Sequence, residues 1–170
     1  MIAPMLEFPR VLGIDPGSER AGFGVVARDS GRLVYIASGV LRPRGDALAA
    51  RLSSLRGLVG EVVAAHRPTE AAVEDIFHCK NARSAFVLGQ ARGAVLVALA
   101  ESGLEPEAYA PAMVKRVVTG SGRAEKGQIG RVVMAILGIE RVPADAADAL
   151  AIAICHLLAG QARRLMRPAS

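Results

Sequence analysis

Four carboxylates stand where this chain passes from one regular element to the next: Asp15, Glu74, Asp145 and Asp148. Asp15 and Glu74 each end an apolar run typical of a buried strand. The other two lie three residues apart at the start of an apolar helix. Ionised carboxylates held close together repel one another, and bound cations relieve that repulsion. If the fold gathers these residues, the pattern indicates a divalent-metal site suited to phosphodiester chemistry.

Each of these carboxylates also has an ordinary structural explanation. Asp15 precedes a Pro-Gly turn, where Asp is common because it hydrogen-bonds to nearby backbone. Asp145 and Asp148 would complement the dipole at a helix start, and Glu74 could be a charge at a strand end. A buried carboxylate without a partner is costly, however, and several directed at one edge are hard to explain without metal. The joint pattern therefore favours a site.

The order of elements explains how the carboxylates could meet. Short connections predict an antiparallel meander of the first three strands, and a helical crossover makes the fourth strand parallel to the first. The carboxyl ends of those two parallel strands are neighbours, which brings Asp15 and Glu74 together. The class is α/β, with a mixed five-stranded sheet and helices on both faces. The predicted strands are 10–15, 22–28, 32–41, 69–77 and 107–110, and the predicted helices are 46–66, 81–102, 111–118, 126–137 and 143–158.

The predicted helix 81–102 is apolar nearly all round, so we expect it to be buried on several faces. Gly89 and Gly93 lie four residues apart on one side and would allow close approach of another backbone. Core packing within the chain explains this pattern. A homodimer interface is the alternative, because the apolar surface exceeds what one sheet face can cover.

Composition favours a globular nucleic-acid-binding protein. The chain has 170 residues, a net charge of +5 and a pI of about 9.9. The excess of cations favours an anionic partner. Of its 21 basic residues only Lys80, Lys115 and Lys126 are lysines, and their compact charges suit phosphate or metal-bound water.

The termini and cysteines predict a cytoplasmic protein of one domain. Residues 1–9 read as a flexible extension without signal-peptide character, 10–160 as the one folded domain, and 161–170 as a basic, disordered tail. The uncharged apolar stretch 93–100 is too short to cross a membrane. Cys79 and Cys155 match no zinc motif, so we expect both reduced, with Cys155 in the core.

Several longer motifs together resemble the RuvC family of Holliday-junction resolvases, from about Val11 to about Leu158. The resemblance implies an RNase H-like fold, a homodimer and two Mg²⁺ ions per active site, with Mn²⁺ as an alternative. It also implies symmetric nicking of two like-polarity strands at a four-way DNA junction, in cooperation with the RuvA–RuvB branch-migration complex. The motifs are Leu12–Ser18, Ala72–Phe77, Lys80–Asn81, Leu88–Gly93 and Asp145–Ala151.

The resemblance also assigns roles to residues. The family's four acidic positions fall on Asp15, Glu74, Asp145 and Asp148, as catalytic metal ligands. We hypothesise that Asp15 bridges the two ions and that the others complete their shells, leaving 5′-phosphate and 3′-hydroxyl ends. Phe77 would stack on a junction base, and Lys126 would stabilise the scissile phosphate. The predicted DNA contacts are Phe77, Lys80, Asn81, Arg83, Lys115, Arg123 and Lys126.

Three other functions remain as alternatives. An actin-like ATP-binding protein also places Asp-x-Gly after a first strand, but that fold needs two such domains and this chain has length for one. A non-catalytic nucleic-acid-binding module would not need four acids. A different RNase H-like nuclease, acting on RNA or RNA–DNA hybrids, would share the fold. Metal-dependent cleavage of defined substrates separates these alternatives.

Overall fold

Five strands form one mixed sheet in the order β3-β2-β1-β4-β5. The computed structural model describes residues 8–76 and 81–166, without the side chains of Lys126 and of 161–166. β1 pairs antiparallel with β2 and β2 with β3, whereas β4 is parallel to β1 and β5 to β4. The predicted meander and crossover are confirmed. The strands are β1 Arg10–Asp15, β2 Ala21–Asp29, β3 Arg32–Leu41, β4 Glu70–Glu74 and β5 Pro106–Tyr109.

Five helices follow the predicted order, and local signals set several of their ends. α1 ends where Arg67 adopts a left-handed conformation before Pro68. α3 begins at Pro111, whose fixed φ suits a first helical position, and ends at Gly120 with φ +80°. The helices are α1 Leu48–His66, α2 Ala82–Glu101, α3 Pro111–Thr119, α4 Lys126–Leu137 and α5 Ala144–Met166.

The sheet separates two apolar layers, because side chains alternate between its faces. Leu12 and Ile14 of β1 pack in the layer formed with α1 and α2. Val11 packs in the opposite layer, with α3, α4 and α5. Asp15, the residue after Ile14, therefore faces α5, because it lies on the same side of the strand as Val11.

The prediction that α2 is buried on several faces is wrong for the described chain. Its buried residues are Ala91, Val95, Ala98 and Leu99, which pack in the layer shared with α1. Phe86 is 69% exposed and Val97 49% exposed. An apolar face is thus left uncovered. By length and composition alone α2 could also span a membrane, which is weak evidence because helices of soluble proteins pass the same test.

α5 continues through Gly160 to Met166, whereas the sequence predicted its end before that glycine. A glycine within a helix costs only about 1 kcal/mol. That cost is small enough for the helix to continue through Gly160. Cys155 is buried in the core on this helix, as predicted, and Cys79 lies outside the described residues. The division into extension, nuclease domain and disordered tail stays a prediction.

Candidate active site

Asp15 and Glu74 lie side by side at the carboxyl ends of β1 and β4. The parallel register pairs Ile14 with Val73, so the two carboxylates occupy the next position on each strand. Val73 packs with Ile14 on the α1 side, and Ala72 packs on the α5 side. By alternation, Asp15 and Glu74 both face α5. This agrees with the arrangement predicted from the element order.

The first turn of α5 lies on this same edge because glycines let the helix approach the sheet. Gly22 pairs with Asp15 across the β1–β2 ladder, and its α-carbon lies against the backbone carbonyl of Asp145. A β-carbon on Gly24 would lie 2.7 Å from the backbone nitrogen of Leu150. The strand positions that face α5 thus carry no side chain where the helix crosses. Asp145 is brought next to the end of β1 as a result.

Glu74 and Asp148 line one cavity of about 210 Å³ together with Lys115 of α3. The cavity thus brings a cation from α3 together with carboxylates from β4 and α5. Charges act more strongly beside apolar walls than in bulk water, because the local dielectric constant is lower. The remaining lining residues are Pro111, Val114, Ile129 and Ala151.

Two arginines that sequence reasoning left unassigned contact this group. Arg20, in the turn after β1, donates from Nε to Asp145 Oδ2 at 2.9 Å, and its Nη2 lies 2.8 Å from the same oxygen. Arg92 of α2 donates from Nε to the backbone carbonyl of Glu74 at 3.2 Å. Its Nη2 also lies 3.4 Å from Asp75 Oδ1, so Arg92 anchors the end of β4. Arg92 lies within the motif Leu88–Gly93, so the sequence offered a reason to consider it. For Arg20 the sequence offered only its position in the turn after β1.

The predicted DNA-contacting residues fall into different settings. Asn81 caps α2, because its Oδ1 accepts a hydrogen bond from the backbone nitrogen of Ser84 at 2.9 Å. Arg83, in the first turn of α2, and Arg123, between α3 and α4, are exposed. Lys126 is the first residue of α4, and its side chain is not among those that the structure describes. Phe77 and Lys80 lie outside the described residues.

The donor chemistry of the four carboxylates fits a hard divalent cation, which prefers oxygen ligands. Three elements supply these oxygens at one sheet edge. Within residues 8–76 and 81–166, however, no three His, Cys, Asp or Glu side chains converge closely enough to hold an ion. Asp145 is directed at Arg20. The residues therefore fit a metal in chemistry and location, while the carboxylates are not gathered around one point.

Comparison with known sequences gives one consistent family. The sequence model described as "Crossover junction endodeoxyribonuclease RuvC" matches residues 11–156. A protein of that name from Chromohalobacter salexigens is 50% identical over 156 residues, covering 91% of this chain and 84% of its own. The one from Oleidesulfovibrio alaskensis is 47% identical, covering 91% and 94%.

Solved structures agree with the sequence comparison. Thermus thermophilus RuvC in complex with a Holliday junction substrate superposes with a TM-score of 0.84 at 34% identity, covering 91% of this chain and 96% of that one. The yeast mitochondrial Holliday junction resolvase Ydc2 superposes with a TM-score of 0.68 at 13% identity, covering 97% and 84%. The second likeness is one of fold alone, and together the two confirm the RNase H-like fold.

Proposed function

This chain belongs to the RuvC family of crossover junction endodeoxyribonucleases, and from that premise we propose that it resolves Holliday junctions by nicking two strands of like polarity. The family is metal-dependent. The products would carry 5′-phosphate and 3′-hydroxyl ends. One observation carries the proposal: Glu74 and Asp148 share a cavity with Lys115 at the edge where Asp15 and Asp145 also lie.

We assign Asp15, Glu74, Asp145 and Asp148 as the ligands of two Mg²⁺ ions, which Mn²⁺ could replace. Bound divalent ions supply activation of the attacking water and stabilisation of the leaving oxygen. Asp15 is the central ligand in this assignment, because its strand lies between β2, which contacts Asp145, and β4, which carries Glu74. Lys115, beside Glu74 and Asp148, would neutralise charge on the scissile phosphate.

The DNA would be held mainly through its phosphates. The net charge of +5 supports such binding, which should weaken as salt concentration rises. Arg83 and Arg123 are exposed and available to phosphates; Lys80, Asn81 and Lys126 complete the proposed set. Phe77 is proposed to stack on an unpaired base at the junction.

A homodimer would supply the two active sites that symmetric nicking needs. A stripe along α2 supports it: Phe86, Gly89, Gly93 and Val97 follow one another at intervals of three and four residues, and all but the half-buried Gly93 are exposed. Such a stripe on one helix can meet its own copy across a two-fold axis. Cooperation with RuvA–RuvB remains a prediction from the family resemblance, and a cytoplasmic location remains a prediction from the termini and cysteines.

The proposed function is tested with a synthetic four-way junction and a linear duplex of the same sequences. With Mg²⁺, the wild-type protein should nick the junction in two opposite strands and leave the duplex intact. Glu74→Gln and Asp148→Asn should slow nicking by about 10²-fold or more, the scale for losing one electrostatic stabiliser of a transition state. Both should retain junction binding. Glu61→Gln, an exposed acid on α1, is the control and should nick normally.

Other outcomes would replace the proposal. Cleavage of an RNA–DNA hybrid in preference to the junction would make the chain a different RNase H-like nuclease. Junction binding without cleavage in Mg²⁺ or Mn²⁺ would make it a binding module. Full nicking by Asp148→Asn would remove that carboxylate from the metal site.

A further inference from the structure

The side chain of Arg20 is bound to a carboxylate of the proposed metal site. Two of its nitrogens, Nε and Nη2, approach a single oxygen, Asp145 Oδ2, at 2.9 and 2.8 Å. The side chain of Arg20 is 53% exposed and that of Asp145 26% exposed. The pair therefore lies at the rim of the site, open to ions and water.

The turn that carries Arg20 is held in place by close backbone packing. Gly17 lies against the backbone carbonyl of Arg20, so closely that any β-carbon on residue 17 would overlap it. Pro16, just before this glycine, is buried. The turn after β1 thus places Arg20 beside Asp145, in the first turn of α5. The contact joins residues 125 positions apart, so it depends on the tertiary fold.

The contact has a direct consequence for metal binding. Oδ2 of Asp145 accepts from the guanidinium of Arg20, so one of the two oxygens that Asp145 could offer an ion is engaged. Among the described residues no three potential ligands converge on one point, although the four carboxylates share one edge. An ion that uses Oδ2 of Asp145 as a ligand must therefore compete with Arg20.

We propose that Arg20 is an exchangeable counter-ion of Asp145, which it neutralises without metal and releases when a metal ion takes Oδ2 as a ligand. This inference rests on the proposed metal-dependent function. An exposed ion pair is weak enough for a divalent cation to displace. Arg20 would still lower the apparent metal affinity, because binding includes the cost of breaking the pair. It would also reduce repulsion among the carboxylates while metal is absent.

The test measures metal binding in the full-length protein without DNA. Isothermal titration with Mn²⁺ compares wild type with Arg20→Gln, which removes the charge, and Arg20→Lys, which keeps it without the two-nitrogen contact. Arg20→Gln should bind Mn²⁺ about 2- to 5-fold more tightly, the range expected for an exposed ion pair. Arg20→Lys should lie between. The metal-free melting temperature of Arg20→Gln should fall, and Mn²⁺ should raise it by more than in wild type.

Arg56→Gln is the matched control. Arg56 makes a two-nitrogen contact with Glu101 between α1 and α2, at 2.8 and 2.9 Å, and its side chain is 50% exposed. Removing that charge should leave Mn²⁺ affinity unchanged. A similar gain in affinity for Arg56→Gln would show a general effect of net charge and would overturn the proposal.

The variant Asp145→Asn shows whether a negative result contradicts the role of Arg20 or the proposed metal site. If Asp145→Asn weakens Mn²⁺ binding while Arg20→Gln leaves it unchanged or weaker, the metal site stands and the counter-ion role is wrong. In that case, weaker junction binding by Arg20→Gln would reassign Arg20 to DNA contact. If wild type and Asp145→Asn bind Mn²⁺ equally, Asp145 is not a metal ligand, and both that assignment and the counter-ion role of Arg20 fail. If wild type binds no Mn²⁺ at all, the proposed metal site itself fails.

Discussion

The α-carbon of Gly22 lies directly against the backbone carbonyl of Asp145, in the first turn of α5. Gly22 is also the partner of Asp15 in the β1–β2 ladder. One residue without a side chain therefore lies between two of the proposed metal ligands. The approach of α5 to the sheet, and with it the geometry of the site, depends on this contact.

Gly22→Ala should damage both stability and activity. The added β-carbon would overlap the Asp145 carbonyl, so the start of α5 must move away from the sheet. We expect a loss of about 1–3 kcal/mol in the free energy of unfolding, as for other overpacked sites. Junction nicking should fall more steeply than stability alone explains. Urea denaturation and single-turnover nicking measure the two effects.

Gly57→Ala is the control for that substitution. Gly57 lies in α1, and a β-carbon there would meet no atom within 4 Å. Alanine in a helix is favoured over glycine by up to about 1 kcal/mol. Gly57→Ala should therefore keep or raise stability and leave nicking unchanged. Equal loss in both variants would contradict the packing argument.

Lys115→Gln should slow cleavage more than it weakens DNA binding, because Lys115 lines the cavity with Glu74 and Asp148. We expect the nicking rate constant at saturating protein to fall by about 10²-fold. Arg116→Gln removes the exposed neighbouring cation and should change the rate little. If Lys115→Gln instead weakens binding with an unchanged rate, Lys115 serves docking rather than catalysis.

His156 joins α5 to two strands of the sheet and should matter for stability. Its Nε2 lies 2.7 Å from Glu70 Oε2, and its Nδ1 lies 3.1 Å from the Tyr109 hydroxyl. Losing a largely buried group that makes two hydrogen bonds costs about 1–3 kcal/mol. His156→Ala should lower the urea midpoint clearly, and Tyr109→Phe less. Nicking per folded molecule should survive in Tyr109→Phe; its loss would place this network in the chemistry.

Phe86→Asp should dissociate the proposed dimer. Phe86 is 69% exposed on α2, and a charge there would be costly to bury against a second copy. Sedimentation velocity should show a shift from dimer to monomer, with loss of paired nicking. Val34→Asp places the same charge at another exposed apolar residue, on β3, and should leave the dimer intact. A monomeric wild type would refute the α2 interface.

The sequence by itself determined the order of the elements, and it singled out the four acids that we propose as metal ligands. Apolar runs and helical spacing predicted β1, β3 and α4 with the observed bounds. The spacing of apolar residues and the choice of turn residues are local properties of the sequence. The crossover before β4 required the parallel pair that sets Asp15 beside Glu74. Even the direction of those two side chains follows from strand parity.

Only the tertiary structure decided that Arg20 binds Asp145 and that one apolar face of α2 stays exposed. The Arg20–Asp145 pair joins distant segments, and no local pattern specifies it. The composition of α2 predicted burial all round. Burial depends, however, on what packs against each face, and the described residues cover a single side of α2. The end of α5 was also missed, because a glycine costs a helix only about 1 kcal/mol and Gly160 therefore does not by itself end it.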